Sequence, residues 1–294
     1  MKKALLSAAL LGLALHAPAA TNVVATTSSM GVLVKAVGGD AVKLTVLAPP
    51  DRDAHTLQAR PSMMVALRNA DLLVAVGAEL EIGWLPAALQ GANNGKILPG
   101  TAGYFEAAAQ VALIEGGKAA DRSQGDVHPM GNPHLYMDPV RMASVAEALA
   151  GRLASLDAPN AARYRSGAAA FRSAVEARVS AWKQKAAGAK GILPFHKDVN
   201  YLAALLDVPV LGYVEPLPGI PPTAAHLSEL TGRLKGQKGV LLYTDYQPGQ
   251  GPDFLARNLG WPKARLPLEP AVGASTEEYL KLIDRWVDGV ASGK

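Results

Sequence analysis

The chain has 294 residues, 49% of them hydrophobic and 5% aromatic, with no cysteine and a formal net charge of +4. The missing cysteines exclude disulfides, thiolate metal ligands, thiol nucleophiles and the lipid-bearing cysteine of a bacterial lipoprotein. Setting Lys2 and Lys3 aside leaves a net charge of about +2, far from the basic patch that nucleic acid requires, so nucleic acid is excluded as a partner.

The chain opens with Lys2 and Lys3, an apolar run over 4–15 and small residues at Ala17 and Ala19, the pattern of a secretory leader cleaved after Ala19 or Ala20. The apolar run is shorter than the ~20 residues a spanning helix needs. A soluble periplasmic product without a lipid anchor is expected. About 270 residues remain, which suits two domains of roughly 130 each. Strands are predicted at 22–26, 42–47 and 72–77, with helical spacing between them, as at Met30, Val34 and Val37. The segment 100–131 carries several glycines and little periodicity, and reads as a surface excursion.

Over 160–187, Tyr164, Phe171, Val175, Val179 and Trp182 recur at helical steps, predicting one amphipathic helix roughly 40 Å long, with Gly188 in the C-terminal capping position. Further strands are predicted at 191–195, 208–214 and 239–244, with helical spacing at Leu202, Leu205 and Leu206. The fold class is therefore α/β, two lobes each with a mainly parallel sheet flanked by helices, joined by one long backbone helix. The boundaries are a leader at 1–20, an N-terminal lobe at 21–158, the linking helix at 159–188 and a C-terminal lobe at 189–294.

Beyond the leader there are five histidines, at 55, 128, 134, 196 and 226. His55, His134 and His196 each stand at a strand-to-helix or loop-to-helix junction, where residues distant in sequence share one crevice. Three imidazoles with a carboxylate make a four-coordinate nitrogen and oxygen site that favours zinc, whereas carboxylates in place of imidazoles move preference toward manganese. His128, in Gly125-Asp126-Val127-His128-Pro129, reads first as a loop histidine and second as an accessory ligand. His226 lies in a helical pattern and reads as structural. Glu79, Glu81 and Trp84 read as helix-opening and packing residues ahead of a role behind the ligands, and Tyr136 and Tyr201 as walls of the cleft.

The segments around these histidines resemble the zinc- and manganese-binding receptors of ABC importers. Asp51-Arg52-Asp53-Ala54-His55-Thr56 with Arg60-Pro61-Ser62 is similar to that family's first ligand loop, Gly131-Asn132-Pro133-His134 with Asp138-Pro139 to its second, and Phe195-His196-Lys197 with Asn200-Tyr201 to its third. Gly212-Tyr213-Val214-Glu215-Pro216 and Pro218-Gly219-Ile220-Pro221-Pro222 resemble its second-lobe segment. The resemblance implies one buried metal between the lobes, delivery to a permease in the inner membrane, and His55, His134 and His196 as ligands. The family's fourth ligand is an acid in a C-terminal loop, a place held here by Leu268-Glu269-Pro270. Glu269 is the candidate, with Asp245, Glu215 and water as alternatives. Zn2+ is the expected cargo and Mn2+ the lesser candidate.

Three functions compete on this reading: a metal-capturing receptor, an exported mononuclear zinc hydrolase, and a receptor for an organic solute. A hydrolase needs a general base beside an open coordination site, and no HExxH helix or comparable metal-plus-base motif is present. An organic-solute receptor calls for an aromatic-lined cleft, which the low aromatic content argues against. A monomeric, non-enzymatic receptor is expected, with the permease and a periplasmic metallochaperone as candidate partners.

Overall fold

The computed structural model describes residues 20–116 and 128–294. The expected leader lies outside the described residues, apart from Ala20.

Short β-branched and leucine-rich runs form the first sheet. Strands β1 (Thr21–Ala25), β2 (Val42–Val46), β3 (Leu72–Ala75) and β4 (Tyr104–Glu106) pair in the order β2-β1-β3-β4, every pair parallel. All four residues of β3 are buried, as a parallel strand covered on both faces requires. Alternation along the strands sorts their side chains. Val23, Leu72 and Val74 face the core shared with α1 (Ser28–Gly38) and α4 (Pro139–Leu156), while Val24, Leu73 and Ala75 face α2 (Pro61–Arg68) and α3 (Leu85–Ala92).

The second sheet is smaller. Strands β5 (Ile192–Pro194), β6 (Val240–Thr244) and β7 (Lys263–Leu266) are parallel in the order β5-β6-β7. Ile192, Val240 and Leu242 pack with Ile283, Trp286 and Val287 of α9 (Thr276–Ala291). Leu193, Leu241 and Tyr243 pack with Leu230 of α7 (Ala224–Leu234) and Leu255 of α8 (Gln250–Leu259). The short α6 (Asn200–Leu206) follows β5.

Between the sheets runs α5 (Ala161–Ala186), 26 residues and so about 39 Å long. Tyr164, Phe171, Val175 and Trp182 are buried along it, and Val179 packs half-buried against the same core. It packs on α1 and α4 beside the first sheet and on α9 beside the second. The contact with α1 is close, because a Cβ at Gly167 would stand 2.5 Å from the carbonyl oxygen of Ala36. At the other end Trp182 Nε1 donates to Asp284 at 2.6 Å and Arg178 pairs with Glu277 and Asp284.

Three sequence expectations need correction. The segment 208–214 is not a regular strand: it lies beside β5 through a single parallel bridge, Ile192 to Val210, and Pro209 has no amide to donate. The edge strand β4 lies inside the stretch read as a surface excursion, where three residues give periodicity nothing to act on. The other unforeseen edge strand, β7, reads Lys-Ala-Arg-Leu and buries only its last residue, as an edge position permits.

The carboxyl ends of both sheets face one another. The segments after β1, β3, β5, β6 and β7 meet through hydrogen bonds from Thr26 to Glu81, from Ser29 to Glu269 and from Gln247 to Asp198. Segments at strand carboxyl ends are where ligands bind in open α/β sheets.

Candidate metal centre

His55 stands in the loop between β2 and α2. Asp53 Oδ1 accepts both the His55 amide at 2.9 Å and its Nδ1 at 2.7 Å, fixing backbone and ring together. Trp84, read first as a packing residue and second as one behind the ligands, donates its indole N–H to Ala54 O at 2.8 Å and so pins the residue before His55. Burial opposes ionisation of Asp53, but the hydrogen bond and charge of His55 outweigh it and hold the carboxyl below its usual range.

His134 opens a 3-10 turn, Leu135–Met137, that runs into α4, whose N-terminus is capped by Asp138 accepting from Val140 N at 2.9 Å and Arg141 N at 3.2 Å. Asn132 Oδ1 accepts the His134 amide at 2.9 Å, while its Nδ2 reaches Lys197 O at 2.9 Å on the second half of the chain. His134 Nδ1 lies 2.7 Å from the Tyr136 hydroxyl. Burial drives the His134 pKa well below the usual value, and the charges of His196, His55 and His128 add to the effect. Tyr136 thus holds a ligand candidate rather than serving as a plain wall. Tyr201 is one layer removed, donating its hydroxyl to Asn132 O at 2.6 Å.

His196 follows β5 directly, and its Nδ1 makes a short contact with Glu215 Oε1. Burial alone would lower the His196 pKa, but the hydrogen bond and charge of Glu215, with Asp198 and Asp53 nearby, raise it overall. Glu215 in turn accepts the Gly219 amide at 3.2 Å, so it stands behind His196 as an outer partner.

The three rings converge. Centroids lie 5.1 Å apart for His55 and His134, 5.5 Å for His55 and His196, and 5.1 Å for His134 and His196. The Nε2 atoms of His134 and His196 are 3.1 Å apart. Each of the three offers one nitrogen within 4.8 Å of the others, and among the described residues they are the group able to hold a metal ion. Zinc–nitrogen bonds of about 2.0–2.1 Å in a tetrahedron imply nitrogen separations of about 3.3–3.4 Å. A zinc ion therefore fits with small adjustments.

The carboxylate candidates fall elsewhere. Glu269, expected as fourth ligand, is not in the group: its Oε2 accepts the Ser29 amide at 2.6 Å at the N-terminus of α1, where the helix dipole favours a negative charge. Its Oε1 is buried without a hydrogen-bond partner, and burial raises its pKa to about 7. Asp245 is exposed and lies 3.7 Å from Arg265. Glu81 is buried, taking Thr26 Oγ1 at 2.6 Å and the Val76 and Gly77 amides at 2.8 and 3.0 Å, and so shapes the loop after β3. His226 Nε2 lies 3.1 Å from Tyr213 O, away from the cluster.

His128 is the residue that the sequence reading placed second. Its Nε2 stands 3.2 Å from His55 Nε2 and its Nδ1 3.0 Å from Ala78 O, although Gly125, Asp126 and Val127 before it lie outside the described residues. A cleft of about 400 Å³, bordered by Arg52, Asp53, His55, His196 and Gln247, opens beside the cluster.

The zinc-binding lipoprotein AdcA of Streptococcus pneumoniae is 25% identical over 279 residues, covering 90% of this chain and 54% of AdcA, so the chain spans about half the length of that relative. The high-affinity zinc uptake system protein ZnuA of Yersinia pestis is 25% identical over 261 residues, covering 84% of this chain and 82% of ZnuA. The solved structure of FpvC from Pseudomonas aeruginosa in complex with Mn2+ superimposes with a TM-score of 0.78 at 21% identity, covering 93% of this chain and 98% of that one, a likeness of fold. The family model described as ZnuA, the periplasmic component A of the zinc-uptake complex, matches residues 23–293, and the chain belongs to that family.

Proposed function

We propose that this protein is the periplasmic receptor of an ABC importer, capturing a divalent zinc ion with the imidazoles of His55, His134 and His196 and delivering it to the permease in the inner membrane. The observation that carries this reading is the convergence of three buried imidazoles from distant parts of the chain, two of them with Nε2 atoms 3.1 Å apart. Neutral imidazoles suit a borderline cation such as zinc better than manganese, which prefers oxygen donors. Glu269 enters this reading as a buried carboxyl that accepts the Ser29 amide, not as a ligand. The work is binding and hand-over, with no bond chemistry, and no general base stands assigned beside the cluster.

The cysteine-free sequence and the leader-like start support a soluble product with a cleaved leader and no lipid anchor. Among the described residues no helix is long and apolar enough to cross a membrane. Domain boundaries at about 158 and 188 follow from α5 lying between the two sheets. Metal release to the permease moves His196, on the second half, away from His55 and His134, on the first. Protons compete for the same lone pairs, so zinc binding weakens as pH falls through the imidazole range.

Elemental analysis and zinc titration of the purified protein test the proposal. One zinc per chain is expected, with stoichiometric binding lost in each of His55→Ala, His134→Ala and His196→Ala. Retention of full zinc binding by any two of these variants would sink it, and metal-dependent hydrolysis of ester or phosphoester substrates would replace it with the hydrolase reading.

A further inference from the structure

Asn132 joins the two halves of the chain beside the metal cluster. It is buried, 4% exposed, and each of its polar atoms has a partner. Its amide donates to Ile114 O at 2.9 Å, and its carbonyl accepts the Tyr201 hydroxyl at 2.6 Å. In the side chain, Oδ1 accepts the His134 amide and Nδ2 donates to Lys197 O, both at 2.9 Å. An amide N–H only donates and a carbonyl only accepts, so these two partners fix which way round the side-chain amide stands. Gly131 permits the approach: its φ is 126°, and a Cβ there would lie 2.9 Å from Ile114 O.

The placing of these bonds matters more than their number. One reaches the backbone of His134 and another the carbonyl of the residue directly after His196, so a single side chain spans two ligands whose Nε2 atoms lie 3.1 Å apart. Further bonds join the same two segments. Ile114 N donates to the Tyr201 hydroxyl at 3.2 Å, Lys197 Nζ pairs with Glu115 at 3.0 Å, and Asn200 Nδ2 donates to Glu115. Ile114, Glu115 and Asn132 precede α5, whereas Lys197, Asn200 and Tyr201 follow it. Drawing His196 away from His134 therefore breaks this network. The pair of Lys197 and Glu115 is partly exposed and contributes little. Asn132 is buried, and stripping a buried polar group of its partner carries the full cost of its desolvation.

We propose that Asn132 is a positioning residue, clamping the segment of His196 to that of His134 and so setting how long the metal is held. This inference rests on the receptor reading above and deepens it, because it names the contact that delivery to the permease has to undo. The clamp also holds two ligands together before the ion arrives, which lessens the ordering that binding demands.

The test measures zinc association, and zinc dissociation by chasing the zinc-loaded protein with excess chromophoric chelator, for the purified protein and for Asn132→Asp, Asn132→Ser and Tyr201→Phe. Aspartate and serine keep a side-chain oxygen for the His134 amide. Aspartate has no N–H for Lys197 O, and the serine hydroxyl is too short to reach it. Tyr201→Phe removes the bond to the Asn132 carbonyl and leaves the Asn132 side chain intact. Gly167→Ala, at the contact of α5 with α1 and outside this network, controls for lost stability. The three variants should bind one zinc and release it about five- to tenfold faster, with association within about twofold of the parent, and Gly167→Ala should release it at the parent rate. Dissociation within twofold of the parent in both Asn132 variants would overturn the assignment, as would an equal acceleration in Gly167→Ala. Should the Asn132 variants fail to fold, Tyr201→Phe decides, and a parent-like rate there overturns the clamp. A parent protein that binds no zinc would overturn the receptor reading and this inference with it; one zinc per chain with unchanged rates in the variants would overturn only the latter.

Discussion

At the scale of single residues, the three converging rings differ less in themselves than in what stands behind each. Asp53 backs His55, the Tyr136 hydroxyl backs His134 and Glu215 backs His196. These partners orient the rings and set which nitrogen is free, and such outer contacts typically contribute ten- to hundredfold in metal affinity. Glu215 is buried and ties His196 to the Gly219 amide. Glu215→Ala should therefore weaken zinc binding by roughly ten- to hundredfold while leaving one zinc per chain, measured by competition with a chromophoric chelator. Loss of less than threefold would show that packing alone orients His196.

The convergence of His55, His134 and His196 was legible from their junction positions and neighbouring motifs. The contact of His128 with His55 was not, because its flanking sequence carries no strand or helix signal and its place depends on a carbonyl fifty residues away. Glu269 stands outside the group for a reason the sequence does not show: an acid at a strand end reads equally as ligand or as helix cap, and here its Oε2 accepts the Ser29 amide.

At the scale of elements, the long helix is where periodicity spoke most clearly. Five apolar residues at helical steps placed α5 to within a residue or two at each end. Strand prediction succeeded for buried runs such as Leu72–Ala75 and failed for the short edges β4 and β7, whose side chains are half in solvent and so lack a continuous apolar signature. What no periodicity could show is how closely α5 approaches α1. At Gly167 a Cβ would meet the carbonyl oxygens of Ala36 at 2.5 Å and Val37 at 2.8 Å, backbone atoms that cannot rotate aside. Gly167→Ala should accordingly destabilise the fold by about 1–3 kcal/mol through overpacking, despite the better helix propensity of alanine. The denaturant midpoint reports this, with zinc stoichiometry unchanged. A stabilised variant would mean that the two helices part at little cost.

At the scale of the whole molecule, Glu269 ties the last quarter of the chain to the first helix. Burial raises its pKa to about 7 from 4.5 in the unfolded chain. Between those values the folded protein holds more protons than the unfolded one, so the contribution is fully present below about pH 4.5 and is lost as pH rises through 7. In zinc-free protein Glu269→Gln should therefore flatten the fall in stability over this window. Above pH 7 it should gain stability, by about 3 kcal/mol at most. Thermal unfolding from pH 4.5 to 8 reads the difference, and an unchanged slope would place the proton elsewhere, for example on Asp198, which burial also raises.

The same tie governs the order in which the protein comes into being. Ser29 finds its carboxylate only when the chain has been made as far as residue 269, 240 positions later. His196 likewise arrives well after His55 and His134. On the proposed reading, a chain emerging amino end first thus offers scattered imidazoles, and the three-histidine cage closes only once the second sheet has been made and fastened to the first helix through Glu269.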